Sequence, residues 1–300
     1  MGHGPGLDRG RRGPNRPGPA AGSGNVPAGN AVKRAAFRGT AAILLAAAGS
    51  AHAGFSGPED LGVFADAPPT SSTHFRLHHE DPFVPAGILN DLEGLHAKLL
   101  LDLGVFSPWA YSERIDVYLY KSAESYAEHA HMPAWSAAHI DFQNRKIYGY
   151  PSAELKRTLA HEMGHLFFMQ YFVAQSATPP LWLNEGVAML MEWDYGGDGD
   201  SGQRDRFLMR NRPPALADFF KTTYQGAGND QGRAVSLWYA QAGSVTRFLM
   251  RRFSKDQFVR FCAALREGKS VDAALPLAYG LAVSDAATLD RLWRESVNAE

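Results

Sequence analysis

One cysteine in 300 residues excludes an internal disulfide, whatever compartment the chain occupies. Charge is sparse as well: Asp, Glu, Lys and Arg make up 20% of the chain and the formal net charge is −1. No basic excess marks a nucleic acid or an anionic membrane as partner. Large apolar residues are almost missing from Met1 to Asn30, which is rich in Gly, Pro and Arg and cannot build a core. The apolar stretch Thr40 to Gly49 is too short to span a bilayer stably. There is no clear internal repeat.

Beyond the Gly/Pro/Arg arm the residues are ordered by type. Val32 to Arg38 is basic, Thr40 to Gly49 is apolar, and Ala51-His52-Ala53 is an A-x-A sequence before Gly54. Basic, apolar and small-residue regions in that order read as a secretory signal peptide. The expected division is residues 1–53 as disordered arm plus signal, and 54–300 as one exported domain, periplasmic or secreted. The signal has ordinary dimensions if translation begins at Val32, so residues 1–31 read as an upstream start. Residues 1–53 hold seven Lys/Arg and one Asp; without them the formal net charge moves from −1 to −7. An acidic mature part argues further against nucleic acid, and no stable membrane span is expected after cleavage. Cys262, in Phe258-Val259-Arg260-Phe261-Cys262, reads as a helical core position rather than a catalytic thiol.

The densest chemistry lies in His161-Glu162-Met163-Gly164-His165. With 11 histidines in the chain, an H-E-x-x-H arises by chance about 0.02 times. The flanks are apolar (Leu155, Leu159, Leu166, Phe167, Phe168, Phe172), and Ser152 and Glu154 suit a helix start. Residues four apart share a helix face, so His161 and His165 aim two imidazoles at one point, with Glu162 beside it. That is the arrangement of a zinc hydrolase: two ligands and a general base from one turn. A third ligand is required. The H-E-x-x-H-x-x-G-x-x-H pattern is excluded, because Phe168 and Tyr171 stand where it needs Gly and His. A carboxylate from a second helix is the other source. Glu185, in Leu181-Trp182-Leu183-Asn184-Glu185-Gly186-Val187-Ala188, is the first acid after His165 and sits in an apolar stretch where an unpaired carboxylate is costly.

H-E-M-G-H followed by L-W-L-N-E-G-V-A resembles the gluzincin metallopeptidases, in particular the M1-like aminopeptidases and the smaller peptidase MA-like domains of exported bacterial proteins. The motif pair covers about 35 residues, and a looser similarity runs from about His74 to about Arg252. The resemblance implies zinc (Zn²⁺) on His161, His165 and Glu185, Glu162 as general base, and a peptide or protein substrate. It implies a zincin-like fold. A transition-state tyrosine maps onto Tyr239, whose hydroxyl would donate to the oxyanion; His129, His131 and His139 are weaker candidates for that task. In the family a strand beside the first site helix pairs with extended substrate; here that is Lys146 to Tyr150. The G-x-M-E-N motif of M1 aminopeptidases is missing between Phe75 and Leu159, so recognition of a free amine is not implied.

The remaining pattern predicts an α+β fold: a small mixed sheet packed on the HExxH helix, followed by a mostly helical C-terminal part. Strands are expected over Thr73–Glu80 and Ile115–Tyr120, with a hairpin over Ala138–Tyr150 turning at Gln143–Lys146. Helices are expected over Ile88–Leu103, Ser122–Ala130 (capped by Ser122), Ala153–Phe172, Leu181–Trp193, Ala234–Arg252, Lys255–Arg266, Val271–Ala278 and Asp285–Asn298 (capped by Ser284). Asp194 to Asp205 loosely echoes a calcium loop, but lacks a closing Glu and reads as solvated. His78 and His79 receive no role. The expected function is an exported zinc metallopeptidase; the alternative is a catalytically inactive zinc- or peptide-binding module of the same fold, against which the intact Glu162 speaks. Export has a direct check: N-terminal sequencing of secreted protein should begin at Gly54, and an intact Met1 would refute the signal.

Overall fold

The computed structural model describes residues 1–2, 62–64, 68–82, 84–130, 137–197, 201–223 and 231–299. The chain divides into two units, Met1–Ala36 and Phe37–Glu300, and all the strands and helices among the described residues lie in the second. The signal segment and the Gly54 boundary lie outside the described residues.

There are five strands among the described residues, β1 (Thr70–Ser71), β2 (Phe75–His79), β3 (Ile115–Leu119), β4 (Ala138–Asp141) and β5 (Lys146–Gly149), and all but the short, polar β1 carry alternating apolar residues. They form one mixed sheet in the order β1-β2-β3-β5-β4. β2, β3 and β5 run parallel, and the outer strands β1 and β4 are antiparallel to their neighbours. One face sets Phe75, Leu77, Ile115, Val117, Leu119 and Ile147 into the main core. The other carries a ladder of stacked rings in register: His78 on Tyr118, Tyr118 on Tyr148, Tyr148 on His139. β3 is therefore buried at all five positions. Its alternation separates an aliphatic from an aromatic-polar face, not a dry face from a wet one. Asp116 is tolerated there because Arg76 and His78 hold its carboxylate at 2.6 and 2.8 Å, which keeps its pKa low against the opposing effect of burial.

The hairpin turn spans 142–145, one residue earlier than the sequence suggests. Asp141 accepts from the backbone and side-chain N–H groups of Asn144 at 3.0 and 2.7 Å, and Arg145 takes φ 56°. The expected substrate-pairing edge strand needs correction. Lys146–Gly149 is flanked by β3 and β4, and β4 is the outer strand.

The helices are α1 (Ile88–Leu103), α2 (Ala123–His129), α3 (Leu155–Val173), α4 (Leu181–Tyr195), α5 (Ser201–Arg210), α6 (Leu216–Phe219), α7 (Gln231–Arg251), α8 (Lys255–Arg266), α9 (Val271–Tyr279) and α10 (Ala286–Ala299). Ser122 caps α2 as expected. Ser152 does not cap α3: the Leu155 N–H reaches its carbonyl, so the helix starts later, and the Glu154 carboxylate turns to Arg157 instead of capping. At α10 the cap is Asp285, which accepts from the Thr288 N–H at 2.7 Å. The supposed solvated stretch Asp194–Asp205 is partly helical. Asp194 closes α4 and binds Arg251, while Asp205 is buried on α5 and binds Arg247. Asp198, Gly199 and Asp200 lie outside the described residues. Cys262 is a buried free thiol in α8, as its apolar setting suggested.

The all-α part and the sheet meet at α3. Phe167, Phe168 and Phe172 are fully buried, each stabilising by about 1.5–3 kcal/mol relative to exposure. α4 lies between α3 and α7, and small residues let it lie close to both. A Cβ on Gly164 would stand 3.0 Å from the Ala188 Cα; one on Gly186 would collide with Thr246 Oγ1 and stand 2.5 Å from the Ala242 carbonyl oxygen. Gly186→Ala should therefore destabilise the protein by ~1–3 kcal/mol through overpacking, read as a lower urea midpoint with unchanged slope; an unchanged midpoint would refute the close contact.

Candidate metal centre

Each donor at the centre of the molecule is placed by helix periodicity. His161 and His165 lie one turn apart on α3, and Glu185 faces them from the second turn of α4. The two Nε2 atoms are 3.1 Å apart, and Glu185 Oε2 is 3.8 Å from His161 Nε2 and 3.6 Å from His165 Nε2. The rings meet edge to face, at 78°, so their in-plane lone pairs can converge. All three side chains are sealed from solvent.

The triangle suits a tetrahedrally bound ion, whose donors at 2.0–2.1 Å stand about 3.3–3.4 Å apart. Its electrostatics also call for one. Neither oxygen of Glu185 has a hydrogen-bond partner among the described residues, and burial pushes its pKa up to about 8 despite the opposing pull of His161. Burial drives the His165 pKa well down, His161 adds to this, and Asn184 opposes it. A cation at the centre would satisfy both imidazole lone pairs and the carboxylate together, and the N,N,O donor set suits zinc. Glu162, next to His161, is 2% exposed, with Oε1 unpartnered among the described residues. Burial raises its pKa to about 7, against the lowering effect of His161.

Two functional residues escape the sequence reading. Glu192 Oε2 stands 3.0 Å from His161 Nδ1. The N–H of that ring is thereby placed on Nδ1, leaving Nε2 as the lone pair that faces the centre. Burial opposes ionisation of Glu192, but His161 and Arg157 outweigh it and lower its pKa; burial likewise opposes the charge of His161, and Glu192 raises its pKa. Arg157 binds Glu192 Oε1 through Nε at 3.2 Å and through its terminal nitrogen at 2.5 Å. The signal was present: Glu192 follows Glu185 by two turns in the apolar run Ala188-Met189-Leu190-Met191-Glu192-Trp193, the same anomaly that singled out Glu185.

Tyr239 is buried in the middle of α7, beside Trp238. His139 is buried on β4, with Nδ1 2.8 Å from the Tyr126 hydroxyl and its ring on Tyr148; burial drops its pKa to about 3. His129 lies in the last turn of α2, and His131 lies outside the described residues. A second cluster, His74, Glu93 and His96, also brings donor atoms within 4.8 Å of one another. Its two rings are stacked at 4.0 Å and 15°, so their lone pairs run in nearly parallel planes and do not converge. Glu93 already accepts from His74 Nδ1 and from the His74 backbone N–H, at 2.7 and 2.8 Å. This cluster is a clasp between β2 and α1.

A mixed sheet laid on a helix with two inward histidines, completed by a glutamate from the next helix, defines a metallopeptidase-like domain of α+β, zincin-like fold. The chain belongs to the Peptidase MA superfamily, whose profile matches residues 97–299. The match reaches well beyond Arg252, through the C-terminal helices. No curated protein matches the chain. Among the described residues, no helix is long and apolar enough to cross a membrane.

Proposed function

We propose that this protein is an exported, zinc-dependent peptidase of gluzincin type, related to the M1-like enzymes, whose mature domain spans residues 54–300. The observation that carries the reading is the sealed triangle of His161 Nε2, His165 Nε2 and Glu185 Oε2, with Glu162 beside it. His161, His165 and Glu185 would hold the ion. Bound there, zinc supplies a lowered pKa for a water molecule and polarisation of a peptide carbonyl.

The chain's own groups do the rest. Glu162 accepts a proton from the attacking water on its carboxylate and passes it to the leaving amine. Its place in the turn that carries His161, sealed from solvent with one carboxylate oxygen unpartnered among the described residues, suits that task. Tyr239 is the proposed hydroxyl donor to the oxyanion, and its place on α7, packed along α4, supports that role. Extended substrate would pair with β4: it is the outer strand of the sheet and packs near α3. Main-chain hydrogen bonds then give affinity with little demand on sequence.

The test separates chemistry from folding. Glu162→Gln should keep zinc and the melting temperature but lose ~10²- to 10⁴-fold in peptide turnover. Glu185→Ala and His161→Ala should lose both zinc and turnover, and Tyr239→Phe should lose on the order of 10²-fold with zinc retained. Turnover, zinc content and melting temperature are measured for all four. A wild type that binds no zinc refutes the metal, and a Glu162→Gln variant as fast as wild type refutes the general base and leaves a binding module.

A further inference from the structure

The inward stripe of α3 does not end at the two histidines. Arg157 stands four residues before His161, so Arg157, His161 and His165 lie on one helix face. Opposite, on α4, Glu185 and Glu192 lie two turns apart on one face. The stripes interlock in order: Arg157 to Glu192, Glu192 to His161, His161 and His165 to Glu185. Both arginine contacts fall on Glu192 Oε1, and the histidine contact falls on Oε2. The guanidinium therefore fixes the carboxylate's rotation from the side away from His161 and leaves the other oxygen aimed at Nδ1.

The arginine is itself pinned. Its remaining terminal nitrogen donates to Glu154 Oε2 at 2.9 Å. The end of α4 rests on its stem: a Cβ on Gly196 would lie 2.9 Å from the Arg157 Cα and 3.0 Å from its Cγ. The side chain is only 26% exposed, between the buried Glu192 and a Glu154 side chain that is 54% exposed. Arg157 thus runs from the buried centre to the surface, and only its inner contacts reach the donor triangle.

The geometry points to Arg157 as a positioning residue: it orients Glu192, which orients His161, and so sets the affinity of the donor triangle for its metal. This rests on the proposed metal centre. A lysine carries the charge but cannot present two fixed N–H groups to one oxygen, so the inference concerns the guanidinium fork and not charge alone.

The test is a double-mutant cycle on zinc affinity, measured by chelator competition on the full chain, with the melting temperature of each metal-free variant as a check on folding. Outer partners of metal-ligating histidines typically change metal affinity 10- to 100-fold. Arg157→Met should weaken zinc ~10-fold and Glu192→Gln by at least as much, and the double variant should be no weaker than Glu192→Gln alone, because one acts through the other. Arg157→Lys should restore less than half of the loss on a logarithmic scale, and Glu154→Gln should leave zinc affinity unchanged. If Arg157→Met fails to fold, Arg157→Lys paired with Glu192→Gln runs the same cycle. Wild-type affinity in Arg157→Met or Arg157→Lys overturns the inference and leaves the metal centre standing. Additive losses overturn it as well, since the two residues would then act separately. No zinc bound by wild type overturns the inference and the metal centre together.

Discussion

Carboxylates sealed from water have to be answered by cations, and that requirement organises the centre of this protein. Glu162, Glu185 and Glu192 are each 2% exposed or less, within two helices that otherwise bury leucine, methionine and phenylalanine. Ionised and unanswered, such groups would cost several kcal/mol each. Arg157 answers Glu192, and the His161 Nδ1–H donates to its other oxygen. Among the described residues Glu185 has no such partner, only two imidazoles at 3.6 and 3.8 Å. Its environment is one that a divalent ion completes, and the distances between facing groups require α3 and α4 to lie nearly in contact. Gly164 meets that requirement by leaving out a side chain where α3 crosses α4, and Gly186 does the same where α4 meets α7.

Around this pair the C-terminal helices act as a buttress. Asp102 at the end of α1 accepts from the Tyr195 hydroxyl at 2.6 Å and from both terminal nitrogens of Arg251 at 2.9 Å, and Arg251 also binds Asp194. One charged cluster therefore joins α1, α4 and α7. Arg247 and Ser244 make a second junction with Asp205 on α5, and the Trp293 indole N–H of α10 donates to Ser244. The long helices hold α4 from outside while α3 meets it from within.

Legibility in the sequence depends on whether each signal is local. Period-3.6 apolar stripes lie within one segment, so α1 and α8 coincide with their expected ranges. The meeting of His161, His165 and Glu185 was legible because H-E-x-x-H is local and Glu185 is an acid in an apolar run. Glu192 carried the same anomaly, but with three ligands assigned nothing required a fourth carboxylate; its role exists only through contact with His161. The order of strands was not legible. The run Lys146–Gly149 has the same pattern at an edge or inside a sheet, and only pairing with both Ile115–Leu119 and Ala138–Asp141 places it inside. Capping serines misled at two helices: at α10 Asp285, next to Ser284, takes the cap, and at α3 the chain turns once more after Ser152, so the helix begins beyond its reach.

The superfamily match begins at residue 97, inside α1, whereas the folded sheet begins earlier, with β1 and β2. β2 pairs along the whole of β3, residue for residue from Phe75 with Ile115 to His79 with Leu119. A fragment cut at the family boundary would keep every proposed metal donor and yet open the sheet at its middle strand. β3 would become a bare edge, apolar on one face and aromatic on the other, with the backbone N–H and C=O groups that had faced β2 left unpaired while those facing β5 stay bonded. Such an edge is a template for a neighbouring chain. The extent of the shared pattern and the extent of the smallest soluble piece are thus different quantities, and the two N-terminal strands account for the difference.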